Sequence, residues 1–137
     1  MTSSRTDRAG SSATVAGLDA LYRGFADGTR IRILNVLAAG ELCVCDVVGL
    51  LRLPQPTISR HLAYLRRTGL VEGRRGWKFS HYRLAAPRHP LHRNLIGCVR
   101  SCFAGIPSLD RERRAAARRV AERRAEAADS SPSRRPE

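Results

Sequence analysis

Long apolar runs are missing from this 137-residue chain. Nowhere do the roughly 18 consecutive apolar residues of a membrane-spanning helix occur, which excludes such a span. Residues 1–16 are rich in Ser, Thr, Arg and Gly and hold no apolar core of the kind a secretory signal needs. The expected compartment is therefore the cytoplasm, where thiols stay reduced. Cys-x-x-Cys is absent, and so is the strand–helix alternation that accompanies it in thiol oxidoreductases, so that class of enzyme fails. Nothing else argues for an enzyme, and no segment repeats itself. Acid is scarce as well: 12 Asp and Glu stand against 25 Lys and Arg, a formal charge of +13. Such an excess calls for an acidic partner, nucleic acid first and an anionic membrane surface second. Lysine is almost absent, with Lys78 the only one. A genome rich in arginine codons explains that ratio, and nothing is drawn from it.

What is present fits one domain with ragged ends. Residues 1–16 lack periodicity and are expected to be a disordered arm, with the ordered domain over residues 17–107. Leu18, Leu21, Tyr22 and Phe25 form the stripe of a first helix. Asp27 caps a second helix with Ile31, Leu34 and Leu37, which Gly40 ends. A third runs from about Leu42 to Leu51. Pro54 and Pro56 then break the chain, and Pro56 suits the first turn of a fourth helix closed by Gly69. Ile58, Leu62 and Leu65 are its inward stripe. Leu70 to Leu84 reads as a β-hairpin whose basic tip, Gly73-Arg74-Arg75-Gly76, is flanked by glycines. A fifth helix is expected from His92 to about Phe103. Residues 108–137 are a charged Arg/Ala/Glu-rich stretch, either a solvated helix or a tail, disordered from 129 onwards.

Helix, helix, helix–turn–helix, hairpin, helix is the order of a winged helix–turn–helix, mainly α with a small β-hairpin wing. The core is small, and the apolar first and fifth helices find little to cover in one protomer. A homodimer joined through those two helices is the economical solution.

Four motifs in series then become familiar. They are Phe25-Ala26-Asp27-Gly28-Thr29-Arg30-Ile31-Arg32-Ile33-Leu34, Glu41-Leu42-Cys43-Val44-Cys45-Asp46, Gln55-Pro56-Thr57-Ile58-Ser59-Arg60-His61-Leu62 and His81-Tyr82-Arg83-Leu84. Over roughly residues 18–104 the chain resembles the ArsR/SmtB family of bacterial metal-sensing repressors. Its Cys-Val-Cys-Asp box is similar to that of the arsenic- and antimony-sensing branch, and cadmium/lead sensors of the family carry it too. Two positions depart from the pattern. Val48 stands where the arsenic branch often has a third cysteine, and Pro54 where a serine cap is common.

The resemblance implies a repressor released from double-stranded operator DNA by As(III) or Sb(III), through a three-thiolate site built on Cys43 and Cys45. Soft thiolates also admit Cd(II), Pb(II) and Zn(II). At about 3.6 residues per turn, i and i+2 side chains point roughly 200° apart. Cys43 and Cys45 sit at the start of the third helix, so both bind one ion only where its first turn is irregular or unwinds. A third thiol must come from Cys98 or Cys102, at i and i+4 on the fifth helix. Three arrangements follow: one of these joins Cys43 and Cys45 from the same or the partner chain, the two form a site of their own, or the pairs act independently. Packing is the plain rival, because Leu91, Leu95, Cys98 and Cys102 share one helical stripe and buried cysteine behaves as a small hydrophobe. A thiol redox sensor on the same scaffold is the other alternative. His89 and His92 read as solvated or capping groups before they read as ligands.

For DNA, the start of a recognition helix meets base edges. Gln55, Thr57, Ser59, Arg60 and His61 are the candidates there, with Arg74, Arg75 and Lys78 of the wing suited to phosphate or minor groove. Residues 109–137 hold nine Arg against six acidic residues, so most of the excess positive charge lies in residues 1–108, where DNA would dock.

Overall fold

A computed structural model of the chain describes residues 14–75 and 80–129. The expected N-terminal arm lies mostly outside the described residues, as do Lys78 and the last eight positions. The first helix starts at Val15, ahead of the Gly17 start that the spacing predicts. Thr14 Oγ1 accepts the Gly17 amide at 3.0 Å and caps α1 (Val15–Gly24). Asp27 caps α2 (Gly28–Leu37), accepting from the Arg30 amide at 3.1 Å.

Helix α2 is the pillar of the fold. Ile33, Leu34, Asn35, Val36 and Leu37 are all buried, because neighbours close in on almost every side of its second half. After Gly40 the chain enters a short strand, β1 (Leu42–Cys43), and only then α3 (Val44–Leu51). The expected helix start at Leu42 is therefore corrected to Val44. Backbone hydrogen bonds to a distant strand hold Leu42 and Cys43 extended, and no local signal announces them.

Arg52, in the left-handed region at φ 58°, turns the chain into α4 (Gln55–Thr68). Pro56 sits in its first turn, Ile58, Leu62 and Leu65 face the core, and Gly69 at φ 86° ends it. Strands β2 (Val71–Arg75) and β3 (Ser80–Leu84) make the wing. The sheet has three strands in the order β1-β3-β2, all antiparallel, with Leu42 opposite Tyr82 and Cys43 opposite His81. The wing is thus bonded directly to the cysteine box.

Helix α5 (Pro90–Ser101) turns His92, Ile96 and Val99 inward. Leu91, Leu95 and Cys98 are only half-buried, and Cys102, just past its end, is exposed. The stripe shared by the leucines and cysteines thus lies beside the buried face. A 3-10 turn (Phe103–Gly105) leads into α6 (Pro107–Asp129). Residues 108–129 of the charged stretch are therefore one helix. It packs along α2 and α3 through Leu109, Ala116 and Val120.

Polar clamps complete that docking. Asn35, buried in α2, donates Nδ2 to the Leu109 carbonyl at 2.8 Å and accepts from Arg113 Nε at 3.1 Å. Arg32 pairs with Glu112 and donates to the Leu51 carbonyl at 3.0 Å. Gly40, at φ 147°, lies against Val120, and a Cβ there would meet Val120 Cγ1 at 2.9 Å. Among the described residues no helix is long and apolar enough to cross a membrane.

Candidate ion site and nucleic-acid interface

Cys43 does two structural jobs. Its backbone ends β1, and its side chain caps α3, with Sγ accepting the Asp46 amide at 3.3 Å. Asp46 returns the contact, its carboxylate accepting the Cys43 amide at 3.2 Å, so two donors at the helix start are satisfied reciprocally. With Cys43 extended and Cys45 in the first turn, their side chains leave the backbone on the same side. The Cα atoms are 5.3 Å apart and the sulfurs are joined as a disulfide. Two expectations change here. The 200° divergence does not arise, because only one of the two residues is helical. The pair, expected as free thiols, is bonded, because this entrance geometry brings the sulfurs together.

Asp46 is buried, with 1% of its side chain exposed. Its charge is answered by Arg123 of α6, whose Nη2 donates to Oδ1 at 2.7 Å, and by Arg119 Nε at 3.4 Å. The same Arg123 nitrogen lies 3.7 Å from Cys43 Sγ and 3.6 Å from Cys45 Sγ. The Asp46 hydrogen bond is the main cause holding the Arg123 guanidinium above its ordinary value. Cys43, Cys45 and Asp46 offer donor atoms that all lie within 4.8 Å of one another. Reduced to thiolates, the two sulfurs would join the carboxylate as a donor set that suits a thiophilic cation. Beside them a cavity of about 500 Å³ opens between Glu41, Arg74, His81, Val120 and Arg124.

Cys98 and Cys102 do not belong to that cluster. Hydrogen bonding to Cys102, ahead of burial, pushes the Cys98 thiol above its ordinary value. His92, expected to be solvated or capping, is instead buried, accepting the Arg88 amide on Nδ1 at 3.3 Å. Burial, with His89 and Arg88 nearby, lowers its basicity. Arg119 and Arg123 escaped the sequence reading. The signal open to it was spacing: Leu109, Arg113, Ala116, Val120 and Arg123 recur at i, i+4, i+7, i+11 and i+14, one continuous helix face.

On the other side of the domain α4 presents its start to solvent. Gln55 and Arg60 are exposed, Thr57 and Ser59 half-buried, and Gln55 Nε2 reaches Ser59 Oγ at 3.5 Å. His61 turns back: its side chain is 19% exposed, with Asp27 at 4.0 Å and Arg30 at 3.4 Å. Arg30 in turn stacks over Tyr64 at 4.2 Å. In the wing Arg75 is exposed, while Arg74 pairs with Glu41 just ahead of the cysteine box.

Residues 27–73 match the family described as "Bacterial regulatory protein, arsR family". The chain is 50% identical over 66 residues to the arsenical resistance operon repressor of Escherichia coli (strain K12), covering 47% of this chain and 56% of that protein. It is 39% identical over 69 residues to an uncharacterized HTH-type transcriptional regulator of Methanocaldococcus jannaschii, covering 50% of this chain and 78% of that one. The match therefore spans only about half the length of the first of these relatives. A solved homodimeric winged helix-turn-helix DNA-binding domain from Mycobacterium bovis, described as a possible ArsR-family regulator, superposes with a TM-score of 0.54. It is 27% identical, over 82% of this chain and 92% of that one.

Proposed function

Because this chain belongs to the ArsR family of bacterial regulatory proteins, we propose that it is a homodimeric repressor whose grip on operator DNA is released by As(III) or Sb(III) at Cys43 and Cys45. One observation carries the reading: Cys43 is both the last residue of β1, paired with the wing at His81, and the cap of α3. A change at its sulfur removes the α3 cap and strains the strand that supports the wing. Because α3 packs directly on α4, both DNA-facing elements feel one atom. The free energy of release equals the ion's preference for the low-affinity conformation, and DNA weakens ion binding by the same factor.

Gln55, Thr57, Ser59 and Arg60 are assigned to the bases, and Arg74, Arg75 and Lys78 to phosphate or the minor groove. His61 serves by holding α4 on α2 through Asp27 and Arg30. Cys98 and Cys102 form a second, independent thiol pair. The first and fifth helices supply the dimer contact, in keeping with Val15 and Tyr22 of α1 at 83% and 54% exposure.

The test is operator release by fluorescence anisotropy, anaerobic and reduced, with As(III), Sb(III), Cd(II) and Pb(II) titrated into wild type and four single Cys→Ser variants. Release by arsenite or antimonite that is lost in Cys43→Ser and Cys45→Ser supports the proposal. If Cd(II) or Pb(II) alone acts, the ion assignment changes. Equal responses from all four variants would sink it.

A second reading rests on the bonded sulfurs of Cys43 and Cys45. In it a peroxide takes two electrons and two protons from the thiol pair, closing the disulfide and leaving two waters, or the corresponding alcohol and water. DNA release by peroxide, with none by arsenite, would favour it.

A further inference from the structure

One nitrogen touches every donor of the cysteine box. Arg123 Nη2 is 2.7 Å from Asp46 Oδ1, 3.7 Å from Cys43 Sγ and 3.6 Å from Cys45 Sγ. Those three donors are, once the Cys43–Cys45 bond is reduced to thiols, the group able to converge on a cation. A guanidinium among them is a cation in the place an ion would take. The electrostatics agree, since among the described residues buried Asp46 finds its answering charges on α6.

We propose that Cys43, Cys45 and Asp46 are the ion-binding set of a single chain and that Arg123 is its resident plug, so that a soft cation evicts Arg123 and undocks the distal half of α6. The proposal rests on the thiol-ion reading above and adds both a third donor and a moving part. It dispenses with a thiol from α5.

The consequence follows from how α6 is held. Its first half is fastened by Leu109, Glu112 and Arg113 onto α2 and the Val99 carbonyl of α5. Its second half is fastened by Val120 on Gly40 and by Arg119 and Arg123 on Asp46. Beyond Arg123 every described residue is exposed. Once an ion occupies the sulfur lone pairs and the carboxylate, both arginines lose Asp46, keep their pairs with Glu122 and Glu126 within α6, and meet a like charge. Val120 alone then holds that end. Isolated helices of this length are marginal in water, so the released turns fray.

Hydrogen exchange of the full-length, reduced protein reads this directly, with Cd(II) and then arsenite as probes and ion affinity measured in parallel. Protection over residues 119–129 should drop at least about tenfold on loading, while residues 107–116 change little. Arg123→Ala should show that loss without any ion. Having lost a competing charged hydrogen bond, it should bind Cd(II) about tenfold tighter. Arg123→Lys, which keeps the charge without the fork, should fall between.

Binding that needs Cys45 but leaves 119–129 protected overturns the latch and spares the ion reading. An Arg123→Ala affinity equal to wild type does the same. Absence of binding, or binding indifferent to Cys45→Ser, overturns both.

Discussion

The two cysteine pairs of this chain are built from the same atoms and stand in opposite surroundings. Cys43 and Cys45 straddle a helix entrance, with a buried carboxylate one residue on and a guanidinium across both sulfurs. Cys98, half-buried, and Cys102, exposed just past the end of α5, lie a turn apart, with Ser101 Oγ 3.9 Å from Cys102 Sγ. A cation beside a sulfur favours the thiolate that binds soft ions, whereas a thiol neighbour that shares its proton favours the neutral form. Spacing therefore says little about which cysteines are ligands. The charges brought to them by distant segments say more.

The largest expected effect comes from removing the charge that organises the first pair. Asp46→Asn takes from Arg119 and Arg123 the buried charge they answer, leaving their pairs with Glu122 and Glu126 within α6, and weakens the cap of α3. Arg123 is 39% exposed, so the cost falls below that of a fully buried pair, at about 2–3 kcal/mol. Urea unfolding of the reduced protein measures it. Cys102→Ser on the exposed side of the second pair should change stability by less than about 0.5 kcal/mol in the same assay. Equal losses in the two variants would erase the contrast.

Gly40→Ala tests the same docking without touching charge. The backbone there is at φ 147°, and the new methyl would press on Val120 at 2.9 Å. A loss of about 1–2 kcal/mol is expected, with protection of α6 falling and that of α4 unchanged.

The helix that carries Cys98 also holds a buried titrating group near its start. His92 is buried and disfavours its charged form, so the unfolded chain takes up a proton first as pH falls. Its contribution to stability is whole above the ordinary histidine value and is lost as pH drops from there towards the lower folded value. The groups facing it, His89 and Arg88, reinforce that direction. His92→Gln should flatten the decline between about pH 7 and 5, as thermal melts across that range would record. An unchanged slope would take His92 out of the account.

Much of this fold is legible in sequence, because its signals are local. Asp27 as a cap, Pro56 in a first turn, Gly69 as a stop, and the stripe Ile58, Leu62 and Leu65 each need only a few neighbours to be read. The extended state of Leu42 and Cys43 is different, since it is imposed by Tyr82 and His81 from the far side of the hairpin. His61 looks outward on a helical wheel, yet the Asp27 carboxylate and Arg30 draw it in. Helix α6 is the hardest case. Its inward face is Leu, Ala and Val interrupted by arginines, and an arginine that will answer a buried aspartate looks like any solvated one. What the sequence does hold is Asp46 itself, a carboxylate at the third position of a buried helix start, which needs a partner from somewhere.

The finest discrimination between the pairs is kinetic. In the reduced protein, alkylation by iodoacetamide follows the thiolate fraction, so each cysteine's rate against pH reports its own proton. Cys98 should reach half its limiting rate at a pH above that of an ordinary free thiol, because Cys102 holds its proton in a shared hydrogen bond and burial adds to the effect. Cys102→Ala removes the larger cause and should move the Cys98 profile back down, leaving the part due to burial. Cys45, exposed and next to Arg123, should react faster than Cys98 at neutral pH, and Arg123→Ala should narrow that gap. Mass spectrometry of the peptides carrying each cysteine separates the rates. If Cys98 reacts first at neutral pH, the helix-face pair is the more ionised of the two. The search for the ion site would then move from the helix entrance to α5.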